Sequence, residues 1–323
     1  MKRAQELLDK AIGKSKKPQR THLGSAVTVR IIPGPASKDL GEKLARQLNA
    51  EVIPVFVKIF PDGESYIRFE SQSLKNEDIV IVQTTSPPQD QRLIQLLLMA
   101  DNARDMQAKD ITAVVPYFAY SRQDKRFLPG ETFSAKTIVK LLRECGVNRI
   151  ITVNAHNPAI LKTFEIPVQD LSAISLLAHY FKTKRLAQNP LSLSMGKKAS
   201  NVAQEADSIL HGGHDYFASK RDVVTGNVTL EDKPLPVKNR NVIIFDDIIS
   251  SGGTMAKAVK LVKDKGAKKV YVACVHALLN DDSQKRIMEN GAEEIVATDC
   301  VQSPVSKVSV APLISQVLLQ EGA

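Results

Sequence analysis

Cysteine is scarce in this sequence, long apolar runs are absent, and no cluster of metal-binding residues is visible. Each absence removes a class of function. The three cysteines, Cys145, Cys274 and Cys300, are odd in number and widely separated, which argues against a disulfide framework and fits a reducing compartment. No CxxC and no Cys/His cluster points to zinc. No apolar run approaches the roughly 18 residues that a membrane span requires, so no membrane partner is expected. The first 20 residues lack the apolar core of a signal peptide, and Glu6 and Asp9 count against a transit peptide. The expected location is the cytoplasm. Low-complexity sequence is confined to the lysine-rich start.

What is present is the composition of a soluble globular protein, with 43% hydrophobic and 24% charged residues. A length of 323 residues suits two domains, each able to bury a core. The net charge of +9 is unevenly spread. Lys2, Arg3, Lys10, Lys14, Lys16, Lys17 and Arg20 give residues 1–20 a charge of +5, and the remaining residues carry +4. A basic tail of this kind reads as a solvated extension, so nucleic acid is not expected as a partner.

From Val27 onward, strand and helix patterns alternate. Strands are expected at Val27–Ile32, Val52–Val57, Ile79–Gln83, Ile111–Pro116 and Ile150–Asn154, with helices at Ser37–Leu48, Gln91–Asp105 and Ser134–Cys145. A second cycle has helices at Ile174–Lys184, Thr254–Lys265 and Ser283–Asn290, and strands at Leu191–Ser194, Val242–Phe245, Val270–Val275 and Glu294–Thr298. A last helix covers Val310–Leu319. Such alternation predicts an α/β protein of two similar halves, each with a mainly parallel sheet flanked by helices.

The segment Asn241–Thr254 (NVIIFDDIISSGGT) is the most informative. Val242–Phe245 reads as a strand buried on both faces, and such strands deliver ligand sites at their carboxyl ends. Ser250, Ser251, Gly252 and Gly253 can bring backbone N–H groups close to a phosphate, and the helix opening at Thr254 adds its positive dipole end. Asp246 and Asp247 cannot hold phosphate, but they can accept from vicinal ribose hydroxyls or ligate magnesium. The loop can thus read both ends of ribose 5-phosphate. The bland alternative is that the aspartates cap the turn and the glycines merely permit it. Neither GxxxxGK[ST] nor GxGxxG fits this loop.

Three other segments carry chemistry. In Phe60-Pro61-Asp62-Gly63-Glu64 a ring with nearby acids can clamp a purine, although a polar hairpin tip with turn chemistry is the competing account. In Tyr117–Arg126 (YFAYSRQDKR), which follows a strand, Arg122, Lys125 and Arg126 supply cationic donors for a triphosphate, against a plain solvated loop. His156, in Val153–Pro158, also follows a strand; alone, it reads as a capping or interior histidine.

The Asn241–Thr254 loop resembles the phosphoribosyl pyrophosphate loop of type I phosphoribosyltransferases and ribose-phosphate pyrophosphokinases. With the other three segments in order, the chain from residue 27 to 320 resembles the ribose-phosphate pyrophosphokinases. The resemblance implies two tandem type I phosphoribosyltransferase-like domains. Residues 27–172, joined by 305–323, would form the ATP side, 173–304 the ribose 5-phosphate side, and 1–26 a basic extension. It implies a transferase of nucleotide biosynthesis that moves the diphosphate of Mg-ATP to ribose 5-phosphate, giving phosphoribosyl pyrophosphate and AMP, with Mg2+ as cofactor. It assigns Phe60, Asp62, Glu64, Arg122, Gln123, Asp124 and Arg126 to ATP, His156 to the metal, and Asp246, Asp247, Ser250, Ser251, Gly252, Gly253 and Thr254 to ribose 5-phosphate. Lys220 is the best match to the family's catalytic loop lysine, with Arg221 beside it. A homo-oligomer, dimer or higher, is implied. The remaining histidines, His211 and His214 among them, are expected at the surface.

Two departures from the family pattern lie in the second half. Asp222 stands where a second loop cation would fall, and Leu193–Lys198 (LSMGKK) lacks the usual Pro-Asp before a glycine turn. They motivate an alternative, a weak or inactive homologue that binds nucleotide or sugar phosphate and regulates an active partner. A phosphoribosyltransferase that consumes the activated sugar is supported by the shared loop alone.

Overall fold

The computed structural model describes residues 29–126, 128–161, 164–221, 228–280 and 282–321. The basic extension through residue 26 and Asp222 lie outside them.

The first half runs β1 (Val29–Pro33), α1 (Lys38–Leu48), β2 (Glu51–Val52), β3 (Val55–Ile59), β4 (Ser65–Phe69), β5 (Asp78–Val82), α2 (Gln89–Asp105), β6 (Asp110–Val115), α3 (Ser134–Glu144), β7 (Arg149–Val153), α4 (Pro158–Leu161) and β8 (Val168–Leu171). The second half runs α5 (Ile174–Lys184), β9 (Leu191–Ser194), α6 (Ser200–Leu210), β10 (His214–Tyr216), β11 (Ser219–Arg221), β12 (Val228–Leu230), β13 (Asn241–Ile249), α7 (Gly253–Asp264), β14 (Lys269–Ala277), α8 (Ser283–Glu289), β15 (Glu294–Thr298), β16 (Ser306–Val308) and α9 (Ala311–Glu321). Two six-stranded sheets result, ordered β2-β1-β5-β6-β7-β8 and β10-β9-β13-β14-β15-β16, with every pairing parallel. Strand order is the same in both halves. Two antiparallel hairpins, β3–β4 and β11–β12, stand apart from the sheets.

The apolar strands are continuous because both of their faces are covered. Ile31, Val80 and Val82 point into one core and Ile32, Ile79 and Ile81 into another on the opposite face. In the second sheet Ile243 and Phe245 alternate with Val242 and Ile244 in the same way. The inner faces of both sheets share one core, which also takes Leu40 and Leu44 of α1, Leu177 and Phe181 of α5 and Ile314, Val317 and Leu318 of α9. The halves are therefore joined by a continuous apolar layer, and their strand ends meet at Tyr117, Ala119, Ile248 and Val301.

Four expectations are corrected. Val52–Val57 is not one strand: Pro54, which has no N–H to donate, separates β2 in the sheet from β3 in the hairpin. The strand of the diacid segment runs past the aspartates to Ile249, because Ile248 and Ile249 are buried and still pair with His276 and Ala277. Helix α6, hidden by its small buried side chains Ala203 and Ala206, was not foreseen. Among the described residues of 305–321, expected to join the first half as a block, β16 instead extends the second sheet, and α9 returns to pack on α1 with Ser315 Oγ donating to Gln47 Oε1 at 2.8 Å. Among the described residues, no helix is long and apolar enough to cross a membrane.

Candidate active site

Carboxyl ends of strands from both sheets meet at Tyr117, Ala119, Ile248 and Val301, and most of the motif residues lie in the loops that follow the strands. Asp246 and Asp247 occupy β13 itself. The Asp247 N–H donates to Asp246 Oδ1 at 3.0 Å, and the Ile248 N–H to Asp247 Oδ1 at 2.9 Å. After the strand, the backbone turns at Gly252, whose φ of 71° is left-handed and strained for any residue with a Cβ. A Cβ there would lie 3.0 Å from Ser283 Cβ and 3.1 Å from the Ser283 carbonyl. No side chain caps α7, so the N–H groups of its first turn, from Gly253 and Thr254 on, remain for an anionic acceptor. The turn is held from outside, with Arg286 Nη1 donating to the Ser251 carbonyl (2.9 Å) and Asn280 Nδ2 to Ser250 Oγ (3.1 Å).

In the first half, the start of the basic segment is fixed from below. Thr85 Oγ1 donates to the Tyr117 carbonyl at 2.8 Å and accepts the Ala119 N–H at 2.7 Å. Tyr117, Phe118 and Ala119 are buried, whereas Arg122, Gln123, Lys125 and Arg126 face outward. Asp124 is the exception among residues 122–126. It is buried and accepts from Asn157 Nδ2, so it ties this segment to the loop that bears His156. Arg126 Nε donates to the Glu131 carbonyl at 2.9 Å, and Ser134 Oγ to Gln123 Oε1.

The His156 loop leaves β7 and crosses to the other half. His156 Nδ1 lies 2.8 Å from Asp247 Oδ2, joining groups 91 positions apart. The loop's base is fixed by Asn154 Oδ1, which accepts the Ala173 N–H (2.7 Å), and by Asp170 Oδ1, which accepts the Ala155 N–H (2.9 Å). Electrostatics divides the three carboxyls. Burial and the charge of Asp247 push Asp246 well above the usual range. Burial also pushes Asp247 up, but the hydrogen bond and charge of His156 outweigh it and leave Asp247 at about 2. Burial pushes Asp170 to about 6 against the Ala155 N–H. The charge of Arg122 reaches Tyr117 and Asp246, so the basic segment and the diacid strand share one electrostatic environment.

Other expected residues stand apart from this centre. Phe60, Asp62 and Glu64 form the exposed tip of the β3–β4 hairpin, where the Phe60 N–H donates to the Glu64 carbonyl and the Glu64 N–H to Asp62 Oδ1. The hairpin rests on α2, with Gln95 Nε2 donating to Ser65 Oγ at 3.1 Å. Lys220 is exposed on β11, opposite Thr229; Arg221 follows it opposite Val228. Ser194, the last residue of β9, is buried, and its hydroxyl donates to the Gly196 carbonyl in the turn that follows. The surface expectation fails for His276, which is 2% exposed. Asp170 and His276 were missed; an acid near the end of a short strand and a histidine inside an apolar one were the available signals.

Among the described residues, no group of three or more His, Cys, Asp or Glu forms a cation cage. Magnesium needs no such cage, since it keeps several waters and is held by one or two protein ligands together with substrate phosphates. His156 and Asp247, both part-exposed and in contact, fit such a role.

Similarity to known proteins places the chain in a family. Residues 29–146 match the model of the N-terminal domain of ribose phosphate pyrophosphokinase, and residues 226–318 that of the phosphoribosyl synthetase-associated domain. The ribose-phosphate pyrophosphokinase of Methanopyrus kandleri is 37% identical over 86% of this chain and 94% of its own length. That of Saccharolobus solfataricus is 39% identical over 84% and 92%. The crystal structure of phosphoribosylpyrophosphate synthetase from Mycobacterium smegmatis superposes with a TM-score of 0.81 at 29% identity, covering 92% of this chain and all of that one. With two like α/β halves and with relatives alike along nearly their whole length, the chain belongs to the ribose-phosphate pyrophosphokinase family, the diphosphotransferases of phosphoribosyl pyrophosphate synthesis.

Proposed function

We propose that the chain transfers the β,γ-diphosphate of Mg-ATP to the anomeric hydroxyl of ribose 5-phosphate. The anomeric oxygen gives up its proton to solvent and forms a bond to the β-phosphorus, the bond from that phosphorus to the α,β-bridging oxygen breaks, and AMP departs with that oxygen. The observation that carries this reading is the contact of His156 with Asp247, which joins the loop of the first half to the sugar-phosphate strand of the second. Positioning and charge neutralisation dominate such chemistry.

Gly252, Gly253, Thr254, Ser250 and Ser251 bind the 5-phosphate through backbone N–H and hydroxyl groups. Asp246 and Asp247 orient the ribose hydroxyls. Arg122, Gln123 and Arg126 bind the triphosphate, with Asp124 fixing their loop. Phe60, Asp62 and Glu64 recognise adenine. Lys220 and Arg221 close over the transferring phosphates from the β11–β12 hairpin. His156, with Asp247 beside it, would hold magnesium, which supplies positive charge to the phosphate oxygens. Functionally, residues 27–172 with α9 form the ATP side and 173–304 the sugar side. A homo-oligomer is part of the proposal, since Phe56, Phe60, Tyr66, Ile94 and Leu98 expose apolar surface on the hairpin and α2.

A second reading has one observation in its favour. Ser194 is buried and bonded within the turn that precedes α6, so no carboxylate is offered there. On that reading, the chain binds nucleotide and regulates an active partner. Incubation with Mg-ATP and ribose 5-phosphate, with no-sugar and chelator controls, decides between them. Sugar-dependent, metal-dependent AMP and phosphoribosyl pyrophosphate in equal amounts support catalysis. ATP binding with neither product supports the regulator.

A further inference from the structure

His276 lies on β14, paired with Ile248, the residue after Asp247 in the neighbouring strand. Its ring is buried at 2% exposure, and Nε2 lies 2.8 Å from the carbonyl oxygen of Val153, 123 positions away in the other half. A carbonyl only accepts, so Nε2 carries the proton and donates, and the tautomer is fixed. Nδ1 is buried without a hydrogen-bond partner, and the Tyr117 ring packs edge-on with its centroid 5.1 Å away. Burial holds the ring neutral, with its pKa lowered to about 4 despite the pull of Asp247 and of the Val153 and Asn154 carbonyls.

The placement matters because Val153 is the last residue of β7, and Asn154, Ala155 and His156 follow it directly. His156 reaches from the first half to Asp247, and His276 reaches from the strand beside Asp247 back to the base of the same loop. The two bonds run in opposite senses across the gap between the halves. An apolar side chain could fill the space of His276, but it would leave the Val153 carbonyl without this donor.

We propose that His276 is a positioning residue for the transfer reaction. By holding the Val153 carbonyl, it sets where His156 stands against Asp247 and hence how the nucleotide loop meets the sugar-phosphate loop. The proposal rests on the transfer reaction above for its kinetic readout, and the contact itself can be read without turnover.

The test compares His276→Gln, whose amide nitrogen extends to about the reach of Nε2, with His276→Asn, whose amide falls short, and with His276→Phe. Each is assayed well below its melting temperature. Leu318→Ala, in the core between α9 and α1, controls for general destabilisation. His276→Asn and His276→Phe are expected to lower kcat by about tenfold to a hundredfold, as lost supports of ligating residues do. KM for ribose 5-phosphate should hold and His276→Gln should recover most of the rate. Wild-type kcat in the Asn variant, equal losses in Asn and Gln, or a matching loss in Leu318→Ala would each overturn the proposal. If the wild-type protein forms no sugar-dependent AMP, the transfer reading fails; the imidazole 15N resonances of His156 then test the clamp alone. They should shift in the Asn variant and hold in the Gln variant, and any other pattern rejects the positioning role.

Discussion

His156 and Asp247 meet at 2.8 Å across the boundary between the two sheets, each about a third exposed or less. Neither half alone contains the pair, so the candidate site exists only while the halves hold their relative placement. Removing His156 should therefore damage activity and shift the ionisation of its partner. His156→Ala is expected to lower AMP formation about a hundredfold, in the range that lost positioning produces. Asp247, held down to about 2 in the intact pair, contributes stability above the ordinary 3.8, and that stability is lost as pH falls towards 2. Without His156, burial acts with less opposition and the Asp247 carboxyl rises, so the stability that this group loses between about pH 4 and 2 shrinks. Melting temperatures from pH 2 to 6 show the flatter acid limb; superimposable curves would refute it.

Gly252 and Gly253 look equivalent in sequence and should respond differently. Alanine at 252 meets a left-handed φ of 71° and atoms of Ser283 at 3.0 and 3.1 Å. Gly252→Ala should cost about 1–2 kcal/mol from the backbone alone and raise KM for ribose 5-phosphate at least about tenfold. At Gly253 the nearest atom to a new Cβ is Ser251 Oγ at 4.0 Å, so Gly253→Ala should leave the melting temperature within about a degree or raise it. Equal thermal losses in the two variants would contradict the geometry.

The alternation of strand and helix was legible because the central strands are buried on both faces and read as unbroken apolar runs, as in Val242–Phe245. The edges were not. β8, β10 and β16 are three or four residues long and carry Gln169, Asp215 and Lys307, so no period separates them from loops. Motifs with chemistry at fixed spacing, the diacid–glycine loop above all, were legible as candidate sites. Residues that act across the gap were not, because His276 and Asp170 acquire their surroundings from segments more than a dozen positions away. The turning of Asp124 toward Asn157 likewise depends on a tertiary contact, whereas the Pro54 break had a local signal in the proline itself.

Asp299 joins the halves away from the site. Its carboxylate is 6% exposed, accepts Lys43 Nζ from α1 at 2.7 Å and accepts the Val310 N–H just before α9 at 2.8 Å. Lys43 is 39% exposed, which lowers what the ion pair contributes. Asp299→Ala should cost about 2–3 kcal/mol, because it also strands a buried backbone N–H, whereas Lys43→Met should cost less than about 1 kcal/mol. Urea midpoints give the comparison, and a Lys43 effect equal to that of Asp299 would reject this division.

Asp170 offers the sharpest dependence on pH. Burial raises its carboxyl from the ordinary 3.8 to about 6. A carboxyl raised by folding binds its proton more tightly in the native state. Stability is therefore undiminished below about pH 4, falls as pH rises towards 6 and stays low above it. The cost at neutral pH is at most about 3 kcal/mol, reduced by the residue's remaining exposure. Asn at this position keeps an oxygen for the Ala155 N–H and never ionises. Asp170→Asn should therefore melt several degrees above the wild type at pH 7.5 and within a degree or so of it at pH 4, about the shift that this free energy implies for a chain of this size. Asp170→Ala should melt below Asp170→Asn at both pH values, since it also leaves the Ala155 N–H unpaired. A difference between wild type and Asp170→Asn that stayed constant with pH would show that the Asp170 carboxyl keeps its ordinary ionisation.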